Sequence, residues 1–319
     1  MELMYSLTDY GNMIADRVRM DPNAYALKEF IGPNTVFLDI GAGTGIHALL
    51  AANFGARKVY AVESNDAVHL ANELAKANGY AGRIEFIHDL STQITLPEKA
   101  DVIISDLRGA LPLYGNHIPT IVDARQRHLA DGGKLIPITD TLWVALVEAR
   151  SIYRDLVNPW DHPYGLNMEI AKQLVLNSWS DDNSGEVRSR DLLMEPQMWA
   201  TLDYRSIIDP NVRRSEISGR IKRSATAHGL LVWFDAEIGE GLSFSNGPQE
   251  NRIADVYGRG FFPLLDPVTV TEGDLIFIDI AAEHKDDGYD WHWRTRILDK
   301  KDPALVKADF SQSTSDGAL

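Results

Sequence analysis

The decisive stretch is Val36-Phe37-Leu38-Asp39-Ile40-Gly41-Ala42-Gly43-Thr44-Gly45. A short apolar run contains an acidic residue near its end, and glycines then follow at alternate positions. An amphipathic segment begins directly afterwards, at Ile46-His47-Ala48-Leu49-Leu50. This order predicts a strand, a tight turn and a helix, because glycine lets the backbone turn sharply and lets a ligand approach main-chain N–H groups.

A second strand-like run, Lys58–Glu63, ends in a carboxylate that suits the two hydroxyls of a ribose. Glu63 follows Gly41 by 22 residues (63 minus 41), a spacing typical of a nucleoside site. The loop reads G-A-G-T-G, with Ile46 where a dinucleotide-binding loop has its third glycine. This form resembles motif I of class I S-adenosylmethionine (SAM) methyltransferases, so we expect SAM as cofactor and S-adenosylhomocysteine (SAH) as product.

Two further strand-like runs, Arg83–Asp89 and Ala100–Asp106, continue the pattern, and Asn65–Asn78 reads as a helix before them. Strands that alternate with helices predict a Rossmann-like parallel sheet, in which ligands lie at the carboxyl ends of the strands. Acidic residues fall at all four of those ends: Asp39, Glu63, Asp89 and Asp106.

The pattern changes after Pro137, where β-type runs such as Leu230–Ala236 and Leu275–Ile280 predict an antiparallel β-barrel or sandwich. The fold class is therefore α/β followed by β. We predict an N-terminal helical segment that covers the SAM site, a SAM-binding domain, a β-barrel domain with a helical arm, and a flexible tail. Their expected ranges are 1–30, 31–138, 139–300 with the arm at about 155–185, and 301–319.

Composition excludes several classes of function. The net charge is −15, from 46 acidic and 31 basic residues, which disfavours a nucleic-acid binder. The chain has no cysteine, so disulfides, zinc–thiolate sites and cysteine nucleophiles are excluded, and we predict no metal site. We find neither a signal peptide nor an apolar run of the roughly 18–20 residues that span a membrane, and we expect a cytoplasmic protein without membrane contact.

Segments in both halves resemble the protein arginine methyltransferases. The matching stretches are Met13–Met20, Leu96–Ser105, Trp160–Met168 and His228–Asp235. The resemblance implies that Arg19 binds the SAM carboxylate and that the arm forms a homodimer. It also implies an active-site hairpin after Ser105.

The chain departs from this family where the family binds its acceptor. The hairpin of the family carries two glutamates that grip a guanidinium, but Asp106 and Gly115 stand at those positions. Arg108 stands where a methionine is usual. The threonine-histidine-tryptophan loop is also missing, because the matching stretch reads Ala254–Phe262. These changes take the formal charge of the hairpin from −2 to 0, which favours a neutral or anionic acceptor.

Candidate site residues divide into two groups. Asp39 orients the amino-acid end of SAM or braces the glycine loop, Glu63 binds the ribose, and Asp89 with Leu90 frames the adenine unless Asp89 caps a turn. The predicted cofactor-binding set is Arg19, Asp39, Gly41, Gly43, Thr44, Glu63, Asp89 and Leu90. The predicted catalytic set is Asp106, Arg108 and His117.

Several roles stay open. Asp106 contacts the acceptor, either as a general base or only to position it. Arg108 either binds an acceptor anion or pairs with Asp106. His117 and His228 are placed near the cleft, and each is otherwise a packing residue. Tyr5 and Tyr10 either fold over SAM or pack in the first helix.

Three functions remain in competition. The first is a methyltransferase that acts on a nitrogen or oxygen of a small molecule or peptide. The second is a protein arginine methyltransferase with a degenerate guanidinium clamp. The third is a catalytically silent SAM-binding scaffold.

Overall fold

The structure is a computed structural model that describes residues 5–248, 253–286 and 288–315. Residues 1–4 of the predicted N-terminal segment and residues 316–319 of the predicted tail lie outside the described residues. No helix among the described residues is long and apolar enough to cross a membrane.

The first half is a five-stranded parallel sheet, as the alternation of strands and helices predicts. Its strands are β1 (Val36–Ile40), β2 (Lys58–Glu63), β3 (Ile84–His88), β4 (Ala100–Ser105) and β5 (Leu129–Ile136). The spatial order is β3-β2-β1-β4-β5, so β1 lies at the centre between β2 and β4. All five residues of β1 are buried, which explains its continuous apolar run.

Helices cover this sheet and reach over its carboxyl edge. They are α1 (Leu7–Ala15), α2 (Arg17–Phe30), α3 (Ile46–Asn53), α4 (Ala67–Ala77) and α5 (His117–Arg127). Asp16 separates α1 from α2, because its carboxylate accepts from the backbone N–H groups of Val18 and Arg19 and so caps α2. This cap places Arg19 in the first turn of α2.

The second half consists of antiparallel strands in two sheets. They are β6 (Thr139–Val147), β7 (Ser180–Asp181), β8 (Gln197–Asp203), β9 (Val212–Arg220), β10 (Ala225–Gly239), β11 (Leu242–Ser245), β12 (Gly260–Val270), β13 (Leu275–Lys285), β14 (Gly288–Leu298) and β15 (Val306–Ser313). One sheet has the order β7-β12-β10-β6-β8, with β11 on β10, and the other has the order β15-β14-β13-β9. Aromatic side chains pack in the core, with the Phe262 and Trp291 ring centroids 5.3 Å apart.

The predicted arm and the predicted tail both lie in this half. Helix α6 (Arg150–Val157) overlaps the start of the segment predicted as the arm, and α7 (Glu169–Leu176) lies within it. The prediction of a flexible tail is wrong for Val306–Ser313, because these residues pair with β14 as strand β15. The polar composition of that strand suits a sheet edge, where only part of each side chain is buried.

Candidate active site

A cavity of about 360 Å³ opens at the carboxyl edge of the parallel sheet. Its volume lies in the range of roughly 300–1,000 Å³ that is usual for ligand pockets. Residues from α1, α2, the glycine loop, the end of β2, the turn after β3 and the loop after β4 line it. All predicted cofactor-binding and catalytic residues are among the lining residues: Arg19, Asp39, Gly41, Gly43, Thr44, Glu63, Asp89, Leu90, Asp106, Arg108 and His117.

The glycine loop is shaped so that side chains are excluded from it. Gly41 has φ 72° and Gly43 has φ 54°, in the left-handed region that favours glycine. A Cβ at Gly41 would lie 2.4 Å from Cδ2 of Leu107, and one at Gly43 would lie 2.8 Å from Cε1 of Tyr10. Tyr10 therefore packs directly on the loop. The rings of Tyr5 and Tyr10 meet edge to face, with their centroids 5.8 Å apart.

Glu63 ties the loop to the end of β2. Its Oε2 accepts a hydrogen bond of 2.8 Å from the backbone N–H of Gly43. Its Oε1 accepts from the backbone N–H of Asn65 at 3.0 Å and from the Asn65 amide at 2.6 Å. Glu63 is buried and lines the cavity, and an ionised carboxylate has further lone pairs for ligand hydroxyls.

Asp39 lies deeper, at the base of the loop. Its Oδ2 accepts from the backbone N–H of Ala48 at 3.1 Å, so the carboxyl group braces the start of α3. Burial raises the pKa of Asp39 to about 7. The bracing alternative is therefore present in the structure, whereas a contact with the amino-acid end of SAM stays a prediction.

Asp89 and Leu90 form the rim of the cavity. Both residues are exposed, and the carboxylate of Asp89 accepts from the backbone N–H of Leu90 at 2.7 Å. The half-exposed apolar side chain of Leu90 is suitably placed for the face of a base, and the adenine role of the pair stays a prediction.

At the opposite end of the cavity, Arg19 and Asp106 form a buried ion pair. The Arg19 Nε donates to Oδ2 of Asp106 at 2.8 Å, and both side chains are only 9% exposed. The same Nε lies 3.1 Å from the hydroxyl oxygen of Tyr257, while Nη1 donates to the backbone oxygen of Met13. These bonds use Nε and Nη1, so a ligand carboxylate would meet the guanidinium at Nη2.

Arg108 is held entirely within the protein. Its Nε donates to Oδ1 of Asp106 at 3.0 Å, its Nη1 donates to Oδ1 of Asp140 at 2.9 Å, and its Nη2 donates to Tyr257 at 3.2 Å. The side chain is 1% exposed. Three aromatic rings surround the guanidinium at 5.2–5.4 Å, those of Phe234, Phe244 and Tyr257. Of the two predicted roles, the structure shows the ion pair. The prediction that Arg108 faces an acceptor anion is wrong for this arrangement, because all three guanidinium nitrogens are engaged by the protein.

Behind Arg108, hydrogen bonds continue to His117. The Tyr204 hydroxyl donates to Oδ2 of Asp140 at 2.6 Å, and Nε2 of His117 lies 3.1 Å from the same hydroxyl oxygen. Asp140, Tyr204 and His117 are all buried. His117 is the first residue of α5. In this series of hydrogen-bonded side chains, His117 and Arg108 line the cavity.

The charges at this end cancel within the protein. Burial alone would raise the pKa of Asp106, but Arg108 and Arg19 together hold it well below its usual value. Burial lowers the pKa of His117 to about 3, with Arg108 adding to the effect, and burial lowers that of His47 to about 3 as well. Two arginines face two carboxylates, Asp106 and Asp140, and the two histidines are neutral at physiological pH.

Sequence reasoning missed four members of this arrangement. Asp140, Tyr204 and Tyr257 come from the second half of the chain, and no local motif marks them. His47 lines the cavity from the first turn of α3, and its place directly after the glycine loop was the available signal.

Two expectations for the acceptor end need correction. His228 does not belong to the described cavity lining, because it lies on β10 against the ring of Tyr153, 5.9 Å away. The segment from Asp106 to Asn116 is an irregular loop without strand pairing, not a regular hairpin. Gly115 in this loop has φ 48°, a conformation in which a glutamate would be strained.

Outside the cavity, possible ligand atoms of Asp66, His69 and His88 lie within 4.8 Å of one another on the surface. The Nε2 of His69 is 3.8 Å from the Asp66 carboxylate, and His88 bonds to the backbone oxygen of Ser64. These contacts account for the grouping, and the absence of a metal site stays a prediction.

The cavity fits SAM by its own geometry. The left-handed glycines form a tight loop that lines the cavity, and the carboxylate of Glu63 beside it has lone pairs for hydroxyl groups. Arg19 also lines the cavity, and its contact with the SAM carboxylate stays a prediction.

Comparison with families of known proteins divides the chain at the same place as the fold. Residues 139–296 match the family described as arginine methyltransferase oligomerization subdomain. Residues 24–136 match the family described as ribosomal protein L11 methyltransferase.

Among curated relatives, the probable protein arginine N-methyltransferase 6 of Arabidopsis thaliana is 30% identical over 253 residues, which cover 77% of this chain and 58% of that protein. Protein arginine N-methyltransferase 1 of Oryza sativa subsp. indica is 30% identical over 276 residues, which cover 84% of this chain and 70% of that protein. The chain thus spans about six to seven tenths of the length of these relatives.

Two solved structures share the fold. The Trypanosoma brucei PRMT1 enzyme–prozyme heterotetrameric complex with AdoHcy superposes with a TM-score of 0.82 at 22% identity, covering 95% of this chain and 96% of that chain. Arabidopsis thaliana protein arginine methyltransferase 10 superposes with a TM-score of 0.81 at 23% identity, covering 97% of both chains.

Proposed function

The chain belongs to the protein arginine N-methyltransferase family, and from this premise we propose that it transfers a methyl group from SAM to an uncharged acceptor. The acceptor is a nitrogen or oxygen of a small molecule or peptide. Bound SAM supplies a methyl group on a positively charged sulfur. The protein binds the nucleoside through the glycine loop and Glu63, and it binds the carboxylate through Arg19.

One observation supports an uncharged acceptor most strongly. Asp106 is the only acid left at the two clamp positions, and it already accepts bonds from Arg19, Arg108 and Tyr257. A guanidinium would need a free carboxylate and would be repelled by the two arginines. An anion would need a free cation, but Arg108 is committed to protein partners. A neutral acceptor group is not repelled by the two arginines and does not need a free cation.

The chemical work of the protein is then positioning. The cavity holds the acceptor atom in line with the methyl group, which lowers the barrier through proximity. Asp106 contributes by fixing Arg19, the proposed partner of the SAM carboxylate, and it does not act as a base.

The test is methyl transfer from labelled SAM to three matched groups of acceptors: neutral amines and hydroxyl compounds, arginine-rich peptides, and carboxylate-bearing metabolites. Protein and small-molecule extracts of the host extend the panel. We expect label on neutral acceptors, and Glu63→Ala serves as the cofactor-site control. Efficient methylation of arginine-rich peptides would contradict the proposal and support arginine methylation with a degenerate clamp. SAH binding without any transfer would support a silent scaffold.

We also propose that the protein forms a homodimer through its arm. The arm exposes three large apolar side chains: Tyr164, Leu166 and Ile170 are 101%, 60% and 72% exposed. Light scattering should give the mass of a dimer, and Ile170→Asp should shift the protein to the monomer. Leu305→Asp, at another exposed apolar position, should leave the dimer intact. A monomeric wild type at micromolar concentration would contradict this proposal.

A further inference from the structure

His117 carries a ring nitrogen that the protein does not satisfy. The residue is 1% exposed, and Nδ1 has no hydrogen-bond partner among the described residues. The other nitrogen, Nε2, is bonded to Tyr204, which stands behind it and outside the described cavity lining. A buried nitrogen without a partner is unfavourable, and because His117 lines the cavity, a ligand bound there can supply the missing group.

The hydrogen bonds behind His117 can run in one direction only. Arg108 is a donor at every nitrogen, so Asp140 accepts from it as its counter-ion. The single proton of the Tyr204 hydroxyl goes to the other oxygen of Asp140, at 2.6 Å. The Tyr204 oxygen must then accept, and Nε2 of His117 must donate to it. This fixes one tautomer, with the proton on Nε2 and a lone pair on Nδ1.

We propose that Nδ1 of His117 accepts a hydrogen bond from the N–H of an uncharged nitrogen compound, an amine or azole, and that this compound is the methyl acceptor. The inference rests on the proposed function, because it assigns the class of acceptor at that same site. His117 binds the acceptor directly, whereas Tyr204 and Asp140 are positioning residues that act through it.

Nitrogen is favoured over oxygen because the described side chains that surround the proposed acceptor position, Asp106, His117 and His47, are poorly suited to take a proton. Asp106 is committed to three donors, and His117 and His47 have pKa values near 3. A hydroxyl group needs a base before it becomes a good nucleophile, whereas a neutral nitrogen keeps both its lone pair and its N–H.

The reaction balances without such a base. The nitrogen lone pair forms the new N–C bond, and the electron pair of the broken C–S bond stays on sulfur. The product nitrogen compound carries one positive charge, which the site does not stabilise, because Asp106 and Asp140 are already paired. The product leaves and loses its proton to water.

The experiment is nitrogen NMR on protein with ¹⁵N-labelled histidine, saturated with SAH at pH 8. His117→Gln identifies the His117 signals by their loss. The shifts of the two ring nitrogens show which one carries the proton. The probes are imidazole, which is mostly neutral at this pH and has an N–H, N-methylimidazole, which lacks the N–H, and guanidinium chloride.

We expect Nδ1 to be unprotonated in the wild type and to shift with imidazole, at an apparent affinity about tenfold higher than for N-methylimidazole. Tyr204→Phe should give a mixture of tautomers and reduce this preference, while SAH affinity stays unchanged. A protonated Nδ1, equal responses to imidazole and N-methylimidazole, or a response to guanidinium would each overturn the proposal. SAH binding, measured by calorimetry on the same samples, separates the two levels: its loss refutes the methyltransferase assignment itself.

Discussion

The two ends of the cavity use their polar groups in opposite ways. At the cofactor end, Glu63 accepts from Gly43 of the glycine loop and from Asn65, and it still lines the cavity. At the acceptor end, Asp106 and Arg108 are bonded to each other and to further protein groups. The cofactor end can therefore bind a charged and polar ligand, whereas the charged groups of the acceptor end are paired with other protein groups.

This difference shows that the residues at a family position do not by themselves give the function of that position. Asp106 keeps a carboxylate where the family has a glutamate, yet its neighbours turn it into a structural ion. When all the charged groups of a buried ion pair are bonded to protein partners, the pair presents no net charge to the cavity. We therefore expect mutations at the two ends to have different consequences: loss of stability at the acceptor end, and loss of ligand affinity at the cofactor end.

The largest expected effect is on stability at the acceptor end. Arg108→Met leaves Asp140 and Asp106 without their shared counter-ion in a buried place, so the free energy of unfolding should fall by about 3–5 kcal/mol. Urea denaturation followed by circular dichroism measures this change.

Arg57→Met is the matched control, because Arg57 pairs with Glu98 on the surface, where its side chain is 50% exposed. Loss of that pair should change the free energy of unfolding far less, because solvent screens an exposed ion pair. Equal effects of the two substitutions would remove the basis for treating the acceptor end as a structural charge network.

At the cofactor end, Glu63→Ala should reduce SAH binding by about 2–3 kcal/mol, through the loss of charge-assisted hydrogen bonds and of the brace on Gly43. Isothermal titration calorimetry is the measurement. Asp89→Ala, on the exposed rim, should change SAH affinity much less. Unchanged affinity in Glu63→Ala would refute the assignment of the cofactor end.

A smaller effect concerns pH. His117 has a pKa near 3 in the folded protein and about 6.5 when unfolded, so below pH 6.5 the unfolded chain binds the additional proton. The free energy of unfolding therefore decreases as the pH is lowered. At pH 5, protonation of this histidine in the unfolded chain should reduce the free energy of unfolding by about 2 kcal/mol.

His117→Gln lacks this titration, and the other groups titrate in both proteins. The stability difference between wild type and His117→Gln should therefore change by about 2 kcal/mol between pH 7.5 and pH 5, in the sense that the wild type loses more. Parallel pH profiles in urea denaturation would show that His117 is already charged or exposed in the folded protein.

The cofactor end was predictable because its signals are local. The glycines and the start of α3 lie within fifteen residues of β1, and Glu63 follows at the spacing of one βαβ unit. The parallel sheet followed from the same alternation. Strand β15 was missed because its polar residues at a sheet edge resemble those of a disordered tail.

The acceptor end was only partly predictable, since its partners come from distant parts of the chain. Arg108 is 32 residues from Asp140 and 149 residues from Tyr257 in the sequence. No local sequence pattern around these residues predicts that they are in contact. The sequence could name an ion pair with Asp106, two residues away, as one of two alternatives. It could not show that Asp140 completes the pairing and removes Arg108 from the cavity.

The most direct test of whether Arg108 and Asp106 form a structural ion pair is a crystal structure with SAH bound. Two distances decide it, those from Arg108 to Asp106 and from Arg108 to Asp140. We predict SAH along the glycine loop and Glu63, with Nε of Arg108 still near 3.0 Å from Asp106 and Nη1 still near 2.9 Å from Asp140. If SAH is bound there but Arg108 has turned into the cavity and Asp106 is free, the acceptor end is a charged binding site and the account is wrong.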